Sequence, residues 1–317
     1  MIQHIYLNIY NKKMKKKALV IGYGSIGKKH AQLLKKSKSI SEVVVMTSQK
    51  NISFKKIKNI NEIKKINPFY IVIASATKEH YSQLKFIENN FSNKKILVEK
   101  PLFHKNLKLN IKKNKVYVGY NLRFSKMLNY IRAKILNKKI IYCNSYCGYY
   151  LPNWRKNRHY SKSYSSKKSE GGGVLMDLSH EIDYLQWLFG KIKIINSVNK
   201  KISKLKIDTD DFFSLNAYSK NSKLIQLNTN YISKKKIRTI NIETNNFGIY
   251  GDLISNKLEI IYKKKKKLMK WKEDKNFLET YSNQHESIIQ NKNLNKLCSY
   301  NDGLKVLKFI DQIKKIN

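Results

Sequence analysis

Three short segments of the chain hold residue types in an order that can do chemistry. Gly22-Tyr23-Gly24-Ser25-Ile26-Gly27 follows a short apolar run, Ala18 to Ile21, and opens a stretch with helical spacing, Ser25 to Lys36. In that context Gly22 permits a tight turn, Gly24 lets the backbone approach a pyrophosphate, and Gly27 allows close packing of helix on strand. The helix N-terminus then faces the anion, so the implied ligand is a dinucleotide held by Gly22, Gly24, Ser25, Ile26 and Gly27. Lys100 stands between Glu99 and Pro101 after the apolar strand Lys95 to Val98, at the strand end where α/β folds place ligands. Its ammonium can stabilise an alkoxide or polarise a carbonyl, or be one more solvated lysine. Asp177 and His180 are three apart in Gly171-Gly172-Gly173-Val174-Leu175-Met176-Asp177-Leu178-Ser179-His180, a glycine-led helix start. On a continuous helix they are neighbours, so the carboxylate can orient an imidazole suited to proton transfer near neutral pH. The alternative for His180 is a structural histidine packed on Trp187 or Tyr184.

The elements that must position these groups alternate at first between strand and helix. Apolar runs at Ala18 to Ile21, Glu42 to Met46, Tyr70 to Ala74 and Lys95 to Val98 are separated by helical spacing at Ser25 to Lys36 and Glu79 to Glu88. That order implies a doubly wound parallel sheet, an α/β Rossmann domain over residues 14–119. After Gly119 come a helix, Ser125 to Leu136, and long alternating runs at Ile140 to Tyr149, Asp211 to Tyr218, Leu224 to Ile232, Ile237 to Glu243 and Leu258 to Tyr262. Alternation with short turns implies an α+β domain, residues 120–317, built on a large, mostly antiparallel open sheet. Its outer face is expected to present apolar residues, hence a homodimer or homotetramer through that sheet. A closing helix is expected at about 302–315, the lysine run Lys263 to Lys267 reads as a solvated hairpin tip, and residues 1–13 read as an N-terminal extension, with Met14 an alternative start.

A carboxylate that binds the ribose of NAD is expected about twenty residues beyond the glycine turn. That position holds Thr47, Ser48, Gln49 and Lys50, and Glu42 lies too early. Without the negative charge a 2′-phosphate is not repelled, and Ser48 and Lys50 are placed to contact it, so NAD(H) and NADP(H) both stay open.

The formal charge of +44 first suggests a nucleic-acid partner. Of 65 basic residues, however, only Arg123, Arg132, Arg155, Arg158 and Arg238 are arginine, whereas base and phosphate readout favours arginine. Lysine, asparagine, isoleucine and tyrosine, abundant together, share A/T-rich codons, so genome composition accounts for the bias and no nucleic-acid partner is expected. Cys143, Cys147 and Cys298 have no metal-ligand spacing, and the first two sit about 13 Å apart on a strand, so reduced structural thiols are expected. His4, His30, His104, His159 and His285 form no spaced cluster, and no metal is expected. With no run of eighteen apolar residues and no signal-peptide pattern at Met1 to Tyr10, a cytoplasmic protein without a membrane partner is expected.

Ala74-Ser75-Ala76-Thr77-Lys78-Glu79-His80, Glu99-Lys100-Pro101 and the Gly171 to His180 segment, in this order behind the glycine turn, resemble the Gfo/Idh/MocA family of glucose-fructose oxidoreductases and inositol dehydrogenases. The likeness covers nearly everything from Met14 to the closing helix. Gly119-Tyr120-Asn121-Leu122-Arg123-Phe124, Tyr150 to Arg155 and Ser163-Tyr164-Ser165 resemble a branch linked to bacterial surface-sugar biosynthesis. The resemblance implies that Lys100 is catalytic and that Pro101 follows a cis peptide. It places Ala74, Thr77, His80 and Glu99 beside the cofactor, although Thr77 serves equally well as a helix cap. It also makes His180 the group that takes the hydroxyl proton when a carbinol gives up hydride. The family commonly spaces its pair as Asp-x-x-x-His, whereas Asp177 and His180 are one residue closer, which leaves Asp183 as a substitute. Asn121, Arg123, Trp154, Arg155, Tyr160 and Tyr164 combine aromatic surface with planar donors, as a polyhydroxyl ligand bearing an anion needs. The expected function is an NAD(P)-dependent oxidoreductase acting on a sugar or nucleotide sugar. A same-fold enzyme that uses NAD transiently for elimination or glycoside cleavage, and a non-catalytic dinucleotide binder, are the alternatives.

Overall fold

A computed structural model describes residues 16–154, 159–272 and 277–317. Met1 to Met14 and Arg155 lie outside the described residues. The first sheet is built from β1 (Lys17–Ile21), β2 (Glu42–Met46), β3 (Lys55–Ile57), β4 (Tyr70–Ile73), β5 (Lys95–Val98) and β6 (Lys115–Val118), all parallel, in the order β6-β5-β4-β1-β2-β3. Residues of β1, β4 and β5 are almost all buried on both faces, which is why these strands read as continuous apolar runs rather than alternations. Helix α1 (Ser25–Lys36) turns Gly27, His30, Ala31 and Leu34 inward at helical spacing. The short α2 (Ile63–Ile66) and α3 (His80–Asn90) complete the crossovers.

After α4 (Lys126–Ile135) the chain forms an eight-stranded sheet from β7 (Ile140–Gly148), β8 (Ile192–Lys200), β9 (Phe212–Ser219), β10 (Ser222–Asn230), β11 (Ile237–Thr244), β12 (Phe247–Asp252), β13 (Lys257–Tyr262) and β14 (Lys266–Lys270). The order is β14-β13-β12-β11-β7-β10-β9-β8, antiparallel except for β7 against β10. Two helices, α5 (Val174–Asp177) and α6 (His180–Phe189), lie between β7 and β8 in the chain, and Leu175, Ile182 and Leu185 join the inward residues Cys143, Leu215, Ile225 and Ile240 in one core. Among the lysines of the run, Lys266 and Lys267 belong to β14, and only 263–265 form the turn.

The outer face of this sheet corrects one expectation in part: Val198, Tyr218, Tyr250 and Ile261 do stand exposed on it. Its centre is amide and hydroxyl rather than apolar. Tyr142 Oη donates to Gln226 Oε1 at 2.6 Å, Gln226 Nε2 to Asn216 Oδ1 at 2.9 Å and Asn216 Nδ2 to Asn196 Oδ1 at 2.9 Å, a ladder across four strands. Alternation alone distinguishes in from out, and an outward position is not required to be apolar.

The last segment returns to the first sheet. Helix α7 (Leu278–Gln290) packs on α1, and β15 (Cys298–Ser299) pairs antiparallel with β6 through Cys298↔Val118 and Ser299↔Tyr117 before the closing α8 (Tyr300–Ile316). All three cysteines are buried and free, and burial pushes their thiols up.

Candidate active site

A cleft of about 810 Å³ runs along the C-terminal ends of the parallel strands, where β1 lies between β2 and β4 and the strand order reverses. Its wall includes residues 22–26 of the glycine turn, Thr47, Ser48 and Gln49 after β2, Lys58 after β3, residues 74–80 after β4, and Glu99 and Lys100 after β5; Tyr164, Glu170 and Tyr281 come from the rest of the chain, while Gly27 and His180 are not on the wall. The turn fits a dinucleotide on its geometry. Gly22 has φ +92°, and a Cβ there would stand 2.6 Å from Ala74 O. A Cβ on Gly24, by contrast, would meet nothing within 4 Å. The backbone is therefore bare at the N-terminus of α1, whose cap has no side-chain bond and whose first turn holds no acid. Gln49 Nε2 donates to Tyr23 O at 3.0 Å and ties the loop after β2 to the turn.

At the other end of the cleft the Lys100–Pro101 peptide is cis, as the resemblance implied. Lys100 Nζ donates to Asp177 O at 2.8 Å. His80 is buried, with Nδ1 3.2 Å from both Pro101 O and Leu102 O and Nε2 3.3 Å from Ser75 O, so it braces the loop after β4 against the loop after β5. Burial pulls its pKa down. Thr77 opens a 3-10 turn on the cleft wall and is not a cap, since the cap position is Ala76.

Glu99 is the end of a buried chain that sequence reasoning missed. Its Oε1 lies 2.9 Å from His30 Nε2, His30 Nδ1 lies 2.9 Å from His285 Nε2, and His285 Nδ1 lies 2.9 Å from Tyr70 Oη. With Glu99 as a carboxylate the protons order themselves: Tyr70 donates to His285, His285 to His30, and His30 to Glu99. The second carboxylate oxygen accepts from Lys100 N at 3.1 Å. The four residues come from α1, β4, the end of β5 and α7, and their separation in the chain hides them from any spacing argument.

In the second half, Gly173 (φ +110°) lies against Asp210, whose Oδ1 a Cβ would approach to 2.2 Å. Asp210 accepts from Val174 N through its carbonyl (3.0 Å) and from Leu175 N through its carboxylate (2.9 Å), which starts α5 and places Asp177. The Asp177 carboxylate takes hydrogen bonds from Tyr164 Oη (2.5 Å) and Tyr231 Oη (2.6 Å). The helix does not run on: Leu178 has ψ +28°, and α6 begins afresh at His180. Asp177 and His180 therefore do not share a helical face, which corrects the idea that the carboxylate orients the imidazole. Asp183 does not replace it, because both its oxygens bind Arg123, at 2.7 and 3.0 Å.

His180 stands edge-on to Tyr120, with ring centroids 5.5 Å apart, and its Nδ1 is buried without a partner among the described residues. The ring contact it makes among the described residues is with Tyr120 rather than with Trp187 or Tyr184, which have partners of their own. Trp187 Nε1 donates to Asn295 O, with Arg132 over its ring at 4.5 Å, and Tyr184 Oη meets Ser145 Oγ at 2.5 Å. Burial, then the charges of Lys100 and Arg238, hold the His180 pKa well below the ordinary value. The ring is thus neutral at pH 7 and available as a proton acceptor.

Of the residues expected to meet substrate, Tyr164 lines the cleft. Trp154 packs edge-on against Tyr149 and Tyr231, with its Nε1 buried and unpartnered among the described residues. Tyr160 Oη accepts from Lys206 N at 3.2 Å. Arg123 and Asn121 are turned elsewhere. Arg123 is 4 % exposed and spent on Asp183 and Asp302, while Asn121 Nδ2 donates to Thr280 Oγ1 at 2.6 Å. The rare arginine here is a buried ion-pair partner, a use for which lysine's single point charge is a poor substitute. Among the described residues, no three His, Cys, Asp or Glu side chains are grouped to hold a metal ion, and no helix is long and apolar enough to cross a membrane.

Residues 16–117 match the model described as oxidoreductase family, NAD-binding Rossmann fold, and residues 139–254 match the GFO/IDH/MocA C-terminal domain. No curated protein sequence matches the chain. Among solved structures, a UDP-N-acetylglucosamine 3-dehydrogenase from Acidithiobacillus ferrooxidans superposes with TM-score 0.75 at 15% identity, over 96% of this chain and 98% of that one. Levoglucosan dehydrogenase in complex with NADH superposes with TM-score 0.77 at 15% identity, over 95% of this chain and 96% of that one. A third, GenD2 from gentamicin A biosynthesis in complex with NAD, gives 0.76 at 13%, over 95% and 93%. At such identities the likeness establishes the fold, and together with the two domain matches it leads to one conclusion: the chain belongs to the Gfo/Idh/MocA oxidoreductase family.

Proposed function

We propose that the chain transfers a hydride between a nicotinamide cofactor and a hydroxyl or keto carbon of a sugar or nucleotide sugar, in the building of surface carbohydrate. The observation that supports this reading is that Lys100 lines the dinucleotide-shaped cleft and reaches Asp177 O, three residues before His180, whose pKa burial and the Lys100 charge both lower. The bound cofactor supplies the hydride acceptor or donor. Lys100, with one N–H given to Asp177 O, keeps two for the reacting oxygen and stabilises charge that develops there. His180 takes the hydroxyl proton in oxidation and returns it in reduction. Tyr164, its own proton committed to Asp177, stands on the cleft wall on the sugar's side. In this reading the chain divides near Gly119 into a cofactor half and a substrate half, with α7 and β15 returning to the first.

Assembly belongs to the same proposal, now on a different ground. In a chain with 65 basic residues, the centre of the outer sheet face carries Asn144, Tyr146, Ser214, Asn216, Gln226 and Asn241 and almost no charge. Interface cores are depleted of charge and enriched in tyrosine, so this face suits a second copy in a homodimer or homotetramer. A monomeric mass by light scattering at micromolar concentration would contradict it. The catalytic reading is tested by incubating the protein with oxidised cofactor and a panel of nucleotide sugars and watching nicotinamide absorbance. Net reduction is expected with at least one sugar. Turnover of a sugar without net reduction would replace this reading by transient cofactor use.

A further inference from the structure

We infer that the adenosine end of the cleft is built for a 2′-phosphate and that Lys58, with Ser48, makes the protein select NADP(H) over NAD(H). The inference rests on the proposed reading of the cleft as a dinucleotide site and names which dinucleotide. Its basis is a strand that the apolar pattern does not announce. β3 runs parallel beside β2 with Met46↔Ile57 in register, and Thr47 N donates to Ile57 O at 3.1 Å. Lys58, the next residue, therefore comes level with Thr47 and Ser48 at the C-terminal edge of the sheet, and all three line the cleft. In a sheet of this order the adenosine ribose lies at that edge, beyond β2, while the nicotinamide lies beyond β4 and β5.

The surroundings are arranged in the same sense. Lys56 Nζ donates to Gln49 O (3.2 Å) and Lys50 O (3.1 Å), which fixes the loop bearing Ser48. The Lys58 backbone is held by its N–H to Glu62 Oε1 at 3.0 Å, the same oxygen that accepts from Asn59 N. Glu62 is thus engaged by the turn and is not on the cleft wall. Glu42, the other carboxylate of this strand pair, stands at the opposite end of β2 with Lys17 and Lys55. The carboxylates that do line the cleft, Glu79, Glu99 and Glu170, belong to the β4–β5 side and the second half of the chain. The ribose end therefore offers an ammonium and two hydroxyls to the ligand and no carboxylate, which suits a dianionic phosphate and leaves a free 2′-hydroxyl without the acceptor that NAD sites supply.

The test is direct titration of purified full-length protein with NADPH and NADH, followed by nicotinamide fluorescence, and with adenosine 2′,5′-bisphosphate and AMP, followed by calorimetry. NADPH is expected to bind about tenfold or more tightly than NADH, and the bisphosphate more tightly than AMP by a similar factor. Lys58→Glu should remove the preference by weakening NADPH about tenfold or more while leaving NADH within about threefold. Lys64→Glu, an exposed change of equal charge on α2 and off the cleft, should weaken neither selectively. Equal affinity for the two cofactors, tighter NADH, or a Lys58→Glu loss shared equally by both would overturn the inference while leaving the dinucleotide site standing. Binding of neither cofactor would overturn the reading of the cleft and the inference with it.

Discussion

Replacing Arg123 separates two roles that make opposite demands. Arg123 is 4 % exposed and gives Asp183, 1 % exposed, two hydrogen bonds at 2.7 and 3.0 Å; it also reaches Asp302 and Leu297 O. Arg123→Met fills a similar volume but strands a buried carboxylate, and removal of one partner of such a pair costs about 3–5 kcal/mol. The penalty depends on pH with a definite sign. Burial raises the Asp183 pKa in the folded protein and Arg123 is the largest opposing influence. In the variant the folded value rises further above the unfolded one, so the folded state binds the proton more tightly. Stability is then lost as pH climbs from the unfolded value, about 3.9, to the raised folded value, and the deficit against wild type is smaller near pH 5 than near pH 8. Urea unfolding followed by tryptophan fluorescence reads this directly, because the Trp187 ring lies 6.0 Å from the Arg123 guanidinium. Arg123→Met/Asp183→Leu should recover most of the loss, since an apolar pair of similar volume replaces buried ions at little cost. A deficit under about 1 kcal/mol at every pH, with sugar affinity lowered instead, would refute this reasoning and return Arg123 to the substrate.

The two glycines of the turn should fail differently. Gly24→Asp places its side chain in open space, so it should abolish dinucleotide binding with stability changed by less than about 0.5 kcal/mol, whereas Gly22→Ala, at φ +92° and 2.6 Å from Ala74 O, should destabilise by about 1–3 kcal/mol; calorimetric titration and urea melts distinguish them. Tyr70→Phe leaves His285 Nδ1 buried without its donor and should cost about 1–3 kcal/mol, and an unchanged unfolding midpoint would remove the ordered chain that ends on Glu99. Because Lys100 is one of the charges that lower the His180 pKa, Lys100→Met should raise it, seen by NMR titration of the imidazole; no upward movement would mean that the two groups do not face one another.

The parallel sheet was legible because both faces of its central strands are buried, so that Glu42 to Met46 and Lys95 to Val98 stand out from polar neighbours. β3 was not, because two of its three residues are exposed lysines and its only signal is Ile57. β8 hid for a related reason: Ile195 is exposed at a bulge that breaks the alternation, and the outward Val198 is exposed as well. α7 reads as polar because its buried face sets Ile288 and Ile289 beside Thr280, Gln284 and His285, whose partners Asn121, Val118, His30 and Tyr70 lie far away in the chain. In the site, local motifs fared well. Residues 22–26 of the glycine turn, Thr47, Ser48, residues 74–80, Glu99 and Lys100 line one cleft, whereas Gly27 and His180 do not. Inferences about which side chain serves which did worse. The Asp177–His180 spacing presumed an unbroken helix, and Arg123 was read as a ligand-binding arginine because Asp183, its partner, lies sixty residues on.

The central claim is that Lys100 and His180 act together on a reacting hydroxyl beside a bound nicotinamide. Once the sugar panel has yielded a substrate, the decisive measurement is single-turnover hydride transfer, followed by nicotinamide absorbance, in wild type, Lys100→Ala, His180→Ala and the double variant, with cofactor affinity measured on each. The account predicts that each single change slows transfer about 10²- to 10⁴-fold with cofactor affinity little altered, and that the double variant is barely slower than the worse single one. A near-wild-type rate in His180→Ala, or losses that multiply in the double variant, would contradict it.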